Sequence, residues 1–153
     1  MKPKKVAIGS DHRGVEFKKE LIAELTKHGY HVQDVGANSE DPCDYPDYAA
    51  KVGCLVQRGE CERGIVICHS GIGMSIAANK IKGVRASLCQ TVEAAELARK
   101  HNDANVLALG SGFVSPELAK QISLAWLQTD FEGGRHEKRV QKISEYERKN
   151  LCE

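Results

Sequence analysis

No long apolar run, no dominant charge and no paired-cysteine motif occurs in these 153 residues. The opening MKPKKVAIGSDH carries only a short apolar stretch, well below a signal peptide's central region or a membrane span. A soluble cytoplasmic protein is expected. Lys plus Arg number 22 against 21 Asp plus Glu, so no global positive field draws the chain to nucleic acid or to an anionic membrane. Any anionic partner must therefore be held by a local site. The six cysteines, at 43, 54, 61, 68, 89 and 152, include no C-x-x-C pair and no histidines at zinc-finger spacing, so a metal framework is not expected. Cys68 and Cys89 end apolar runs that read as buried strands, unlike the loops of a disulfide-stapled secreted domain. Free thiols in a reducing compartment fit better. Linkers, low-complexity tracts and long repeats are absent too, and one domain over 1–153 is expected.

What is present alternates. KKVAIGSD is a short apolar run, followed by Phe17, Leu21, Ile22 and Leu25 at helical spacing. HVQDVG (31–36) reads as a second strand, and a helix carrying Tyr48, Ala49, Val52, Leu55 and Val56 starts near Pro46. GIVIC (64–68) is a third strand with a helix through SIAANK, and RASLC (85–89) is a fourth. Thr91 caps the next helix, NVLALG (105–110) is a fifth strand, Ser115 and Pro116 open another helix, and a last one covers about 135–150. Five strands alternating with helices predict a three-layer α/β/α sandwich on a parallel, Rossmann-like sheet, with its site at the strands' carboxyl ends.

The sharpest local feature is C-H-S-G-I-G-M-S (68–75), where a strand ends in a glycine-containing turn and a helix begins. Unpaired N–H groups converge at such a turn and suit an anion, although a ligand-free tight turn explains the glycines equally well. The segment lacks a P-loop's Lys-Ser/Thr ending, and G-x-G alone does not define a dinucleotide site. Cys68 at the mouth of the turn is either a small buried filler or a thiolate favoured by the local N–H groups. Asp11 and His12 follow the first strand and reach the same sheet edge, or cap the next helix. His101 and Asn102, in H-N-D, are placed in a loop before the fifth strand. Arg135 and Arg139, four apart, project to one side of a helix and suit a phosphate, or form part of a solvated charged face.

Taken in order, V-A-I-G-S-D-H-R-G, D-Y-P-D-Y-A, G-I-V-I-C-H-S-G-I-G-M-S-I-A-A-N-K, H-N-D-A-N-V-L-A-L-G and E-G-G-R-H-E-K-R-V resemble the ribose-5-phosphate isomerase B family. That family also includes galactose-6-phosphate isomerase subunits and allose-6-phosphate isomerases. The resemblance spans essentially the whole chain. It implies interconversion of ribose 5-phosphate and ribulose 5-phosphate through a cis-enediolate, without metal or organic cofactor. By the same resemblance Cys68 is the base that moves a proton between C2 and C1, and His101 protonates the ring oxygen with help from Asp11. Ser70 keeps a hydroxyl where some relatives have threonine. Backbone donors over His69, Ser70, Gly71, Ile72 and Gly73 hold the enediolate oxygen. His12, Arg135 and Arg139 hold phosphate, Asn102 a sugar hydroxyl, and Tyr45 walls the sugar pocket. Relatives are dimers or tetramers of dimers in which the groups matching His101, Arg135 and Arg139 come from the neighbouring subunit, so a homodimer with shared sites is expected, its C-terminal helix packing on the partner.

The chain departs from the family twice. Gly112 stands where relatives often carry a phosphate-binding arginine, leaving Lys80, Arg85 or Arg13 to compensate, and an arginine restored there is expected to tighten substrate binding. His69 replaces glycine or another small residue, and its side chain is expected to point away from the anion hole. Ser75 stands where some relatives place a glutamate base, so the chain belongs with the cysteine type. The alternatives are a six-carbon sugar phosphate, which is less favoured because one chain here holds both the cysteine and the H-N-D features, and a non-catalytic sugar-phosphate-binding module. A thiol phosphatase would need C-x5-R, and a redox protein would need a resolving cysteine; the sequence has neither arrangement around Cys68.

Overall fold

The computed structural model describes residues 3–149 and 151–152. Its strands are β1 (Lys5–Ser10), β2 (His31–Asp34), β3 (Arg63–Cys68), β4 (Ala86–Leu88) and β5 (Val106–Gly110). The helices are α1 (Val15–Lys27), α2 (Tyr45–Gln57), α3 (Ile72–Ala78), α4 (Val92–Asn102), α5 (Pro116–Gln128) and α6 (Arg135–Arg148), with a 3-10 turn at His12–Gly14. All strand pairings are parallel, in the order β2-β1-β3-β5-β4.

Alternation within each strand builds the two faces. Val6, Ile8, Ile65, Ile67, Leu107 and Leu109 point to one side, where they pack with Leu21, Leu25, Ile122 and Trp126 from α1 and α5. Ala7, Val66, Cys68, Val106 and Ala108 point to the other, against Ala49 and Val52 of α2 and Met74 and Ala78 of α3. Ile65, Ile67, Leu107 and Leu109 are all 0% exposed, and each such side chain stabilises the fold by about 1.5–3 kcal/mol. The second face uses small residues because its helices lie close: a Cβ on Gly64 would meet Val52 Cγ1 at 2.5 Å.

The chain leaves β1 toward β2 on one side and then returns across the sheet to β3 on the other. Their carboxyl ends therefore flank a crevice, the place where doubly wound sheets bind ligands. Ser10 closes β1 with Asp11 next in the chain, and Cys68 closes β3.

Three sequence expectations shift. The second strand ends at Asp34, whose carboxylate pairs with Lys18, 1% exposed, at 2.7 Å, while the Val35 and Ala37 N–H groups still donate to the Ile8 and Ser10 carbonyls of β1. The third helix begins at Ile72, inside the glycine turn, and stops at Ala78. His101 and Asn102 are the last residues of α4 rather than loop residues: Asp103 ends the helix in the left-handed conformation, its carboxylate held by Arg99 at 2.8 Å and Arg85 at 3.3 Å. The last helix matches expectation through Arg148, and residue 150 lies outside the described residues.

Candidate active site

Glycines let two strand ends approach each other. A Cβ on Gly110 would fall 2.5 Å from the carbonyl oxygen of Ser70, so the turn after β3 can lie across the end of β5 only because position 110 has no side chain. Ser111 N–H then donates to the Cys68 carbonyl at 2.9 Å, and Gly112 N–H to the His69 carbonyl at 2.8 Å. Gly71 adopts φ 75°, the left-handed region that favours glycine, and starts α3.

Within this turn the Gly71 N–H donates to Cys68 Sγ at 3.2 Å, and the Ile72 N–H donates to Ser70 Oγ at 3.2 Å. A helix start leaves its first N–H groups without intrahelical partners. Those of Gly73 and Met74 have no partner among the described residues. The one N–H group that reaches the Cys68 sulfur among the described residues is that of Gly71.

The cleft in front of the turn has a volume of about 530 Å³ and is lined by Asp11, Arg13, Tyr45, Cys68, His69, Ser70, Ile72, Gly73 and Ile76. Cys68 is 5% exposed and lies at its floor. Asp11, also buried, caps the 3-10 turn through Oδ1, which accepts the Arg13 N–H at 3.1 Å. Tyr45 opens α2 next to Pro46, and its ring lies against the first turn of α3, where a Cβ on Gly73 would meet Tyr45 Cζ at 2.6 Å. Tyr45 is thus a wall of the cleft.

The remaining expected site residues stand elsewhere in the chain. His12 does not line the cleft: its Nδ1 accepts the Cys43 backbone N–H at 3.2 Å, which leaves Nε2 as the protonated, donating nitrogen of the neutral ring. Gly71 is behind the turn, its N–H committed to the sulfur. Asn102 faces a separate hollow with Asn79, Arg85 and Glu147, and Arg135 and Arg139 line a basic groove with Lys138 and Lys142 on α6. His101 stacks on His136, ring centroids 4.1 Å apart and planes 13° apart. The Glu132 N–H donates to the Lys100 carbonyl at 3.1 Å, which carries the loop before α6 to the end of α4 and brings the two rings together. Burial foremost, then the neighbouring His101, Arg135 and Arg139, hold the His136 imidazole below its usual pKa, against the opposing pull of Glu132. The sequence reading missed His136; R-H in a charged run gives no sign of a buried ring.

His101, Glu132 and His136 form the one group among the described residues able to present three metal ligands, with ligand atoms within 4.8 Å of one another. Stacking argues against it. Each imidazole binds a metal in its own ring plane at about 2.1 Å, and two nearly parallel planes cannot share one ion at that distance.

Both departures change meaning in three dimensions. His69 is among the residues lining the cleft, and its ring lies over Gly112 and edge-on to Phe113. A Cβ on Gly112 would lie 2.2 Å from His69 Cε1, so an arginine cannot be added at 112 without displacing that ring. Of the suggested substitutes for the missing arginine only Arg13 lines the cleft, while Arg85 is bound to Asp103.

A doubly wound sheet with a cysteine-headed turn and unpaired N–H groups at its switch point defines a small α/β protein with a crevice suited to an anionic ligand. Comparisons with known proteins give the particular group. Residues 6–143 match the family described as Ribose/Galactose Isomerase. Ribose-5-phosphate isomerase B of Escherichia coli is 49% identical over 146 residues, which cover 95% of this chain and 98% of that protein. Among solved structures, ribose-5-phosphate isomerase B of Clostridium thermocellum superposes with a TM-score of 0.93 at 50% identity, covering 94% of this chain and 97% of that one. The Mycoplasma genitalium ribose-5-phosphate isomerase B, solved with bound ribulose-5-phosphate, gives a TM-score of 0.91 at 40% identity and covers 95% and 97% of the two chains. The chain belongs to the ribose/galactose isomerase family.

Proposed function

We propose that this chain is an aldose–ketose isomerase that interconverts ribose 5-phosphate and ribulose 5-phosphate, with Cys68 as the base. The observation that carries the reading is the Cys68 sulfur, at the floor of a cleft, accepting an N–H bond from Gly71. The name and bound product of the Mycoplasma genitalium relative support the substrate.

Aldose and ketose differ by one hydrogen moved from C2 to C1 and one moved from O2 to O1. In the open-chain aldose the Cys68 thiolate takes the C2 proton, the electron pair moves into a C1–C2 double bond, and negative charge develops on O1. Donors already aimed at that oxygen lower the barrier without reorganising, and the free amides of Gly73 and Met74 at the head of α3 are suited to this. The Ser70 hydroxyl relays the O2 proton to O1 as the thiol returns its proton to C1. No atom is lost and no oxidant is consumed.

Ribose 5-phosphate is mainly a closed furanose, so its ring oxygen must first be protonated; His101 takes this role, with Asp11 assisting. His101, Asn102, Arg135 and Arg139 do not line the cleft of their own chain, which supports a homodimer, or a larger assembly of dimers, in which a partner copy completes each site. In that arrangement the exposed Ile143 and Tyr146 on α6 pack on the partner. Arg13, with the partner's α6 cations, holds the phosphate, and that remote binding positions the reacting carbons.

The test follows ketose formation from ribose 5-phosphate, with allose 6-phosphate as a second substrate. Cys68→Ala should lose at least about 10³-fold in kcat and should stop exchange of substrate hydrogen with heavy water. Normal exchange in that variant rejects Cys68 as the base. Mixing Cys68→Ala with His101→Ala chains should restore activity in mixed dimers, and complete failure to do so rejects the shared site. Faster turnover of allose 6-phosphate than of ribose 5-phosphate would replace the pentose reading.

A further inference from the structure

The mechanism above makes no use of the His69 imidazole. That ring is nevertheless placed with care. Three of its atoms, Cε1, Nδ1 and Nε2, would lie 2.2, 2.6 and 2.8 Å from a Cβ at position 112, so the ring fills the space that any residue other than glycine would occupy there. The Phe113 ring meets it edge-on, with centroids 6.1 Å apart and planes at 64°. Neither ring nitrogen has a hydrogen-bond partner among the described residues, and His69, an exposed residue, is one of those lining the cleft that holds Cys68. Only two side chains of that lining can carry positive charge, Arg13 and His69. A ring packed against Gly112 and Phe113, with neither nitrogen paired, on a residue that lines the cleft, fits a ligand contact better than a packing role.

We propose that the His69 imidazole binds the substrate's phosphate, and that Gly112 is retained to seat it. The proposal rests on the isomerase reading for its substrate, but its ligand is the phosphate group itself. Gly112 acts as a positioning residue, through His69.

The test measures KM and kcat for ribose 5-phosphate, competitive inhibition by inorganic phosphate, and direct calorimetric binding of inorganic phosphate, in wild type, His69→Ala, His69→Gln, Gly112→Ala and the His69→Ala/Gly112→Ala double variant. Loss of one hydrogen bond to a charged group predicts a roughly tenfold rise in KM and in the phosphate inhibition constant for His69→Ala, with kcat changed less than about threefold. His69→Gln keeps a donor and should recover part of the loss. Gly112→Ala should raise both constants in the same direction by displacing the ring, and the double variant should be no worse than His69→Ala, because the two changes remove one interaction. The proposal is overturned by unchanged constants in His69→Ala, by a KM rise without a matching change for inorganic phosphate, by additive effects in the double variant, or by a fall in kcat at constant KM. If the wild type turns over no sugar phosphate, the functional reading fails, while the calorimetric comparison still decides whether His69 binds phosphate.

Discussion

Gly110→Ala separates the catalytic turn from the stability of the sheet. A Cβ on Gly110 would lie 2.5 Å from the Ser70 oxygen and 2.6 Å from its carbonyl carbon, and both are backbone atoms with no rotamer to change. Ordinary contact for a Cβ begins near 3.4 Å, so the 69–71 turn must retreat by about 0.9 Å, the difference between 3.4 and 2.5. That retreat moves the Gly71 amide from the sulfur and the head of α3 from the reacting oxygen. Misplacement of about 1 Å can cost roughly 10²-fold in rate, or about 2.7 kcal/mol of barrier. Overpacking at one site costs about 1–3 kcal/mol of stability, which for a domain of this size lowers Tm by roughly 2–12 °C. The assay pairs initial rates with ribose 5-phosphate against thermal unfolding. Leu25→Ala is the control: this residue is 0% exposed on the opposite face of the sheet, and its truncation should cost about 2–5 kcal/mol while leaving kcat of the folded protein near wild type. Gly110→Ala with turnover within about twofold of wild type would refute the claim that this close approach sets the geometry of the turn.

Three further outcomes follow from groups outside the turn. His136 is held below its usual value in the fold, so the unfolded chain takes up a proton more readily as pH falls through the ordinary imidazole range. Folded stability contributed by neutral His136 is complete above that range and is lost on acidification, so His136→Gln should flatten the dependence of Tm on pH between about 7 and 5; an unchanged slope would show that another group carries it. Burial pushes the Cys89 thiol up to about 11, so native protein at pH 8 should be alkylated at exposed Cys152 and not at Cys89, with labelling of Cys89 only in denaturant, as read by mass spectrometry. Equal labelling of both in native protein contradicts the buried position. Lys18→Met removes the partner of Asp34 together with a bond to the Ala37 carbonyl, and should lower stability by about 1–3 kcal/mol in denaturant titration, whereas a gain in stability would show that the buried cation is a net cost.

What could be read from the linear chain was what depends on local pattern. The continuous apolar runs VAI, GIVIC and NVLALG could bury only as central strands of a covered sheet, and they are β1, β3 and β5. Thr91, Ser115 and Pro116 announced helix starts through chemistry that acts within a few residues. Cys68 at a strand end before a glycine turn was legible for the same reason. The relations that matter most at the edge of the site were not, because they join residues far apart in sequence. His69 and Gly112 each look like an isolated departure from the family, one adding a bulky ring and the other deleting a cation. Only the pairing of the β3 and β5 ends shows that the ring of one occupies the space left by the other. Had an arginine been needed at 112 for phosphate, its loss would weaken the site whatever stood at 69. The structure instead couples the two positions sterically, so the identity of either residue constrains the other, and the coupled pair can preserve a positive contact while exchanging the strand that supplies it.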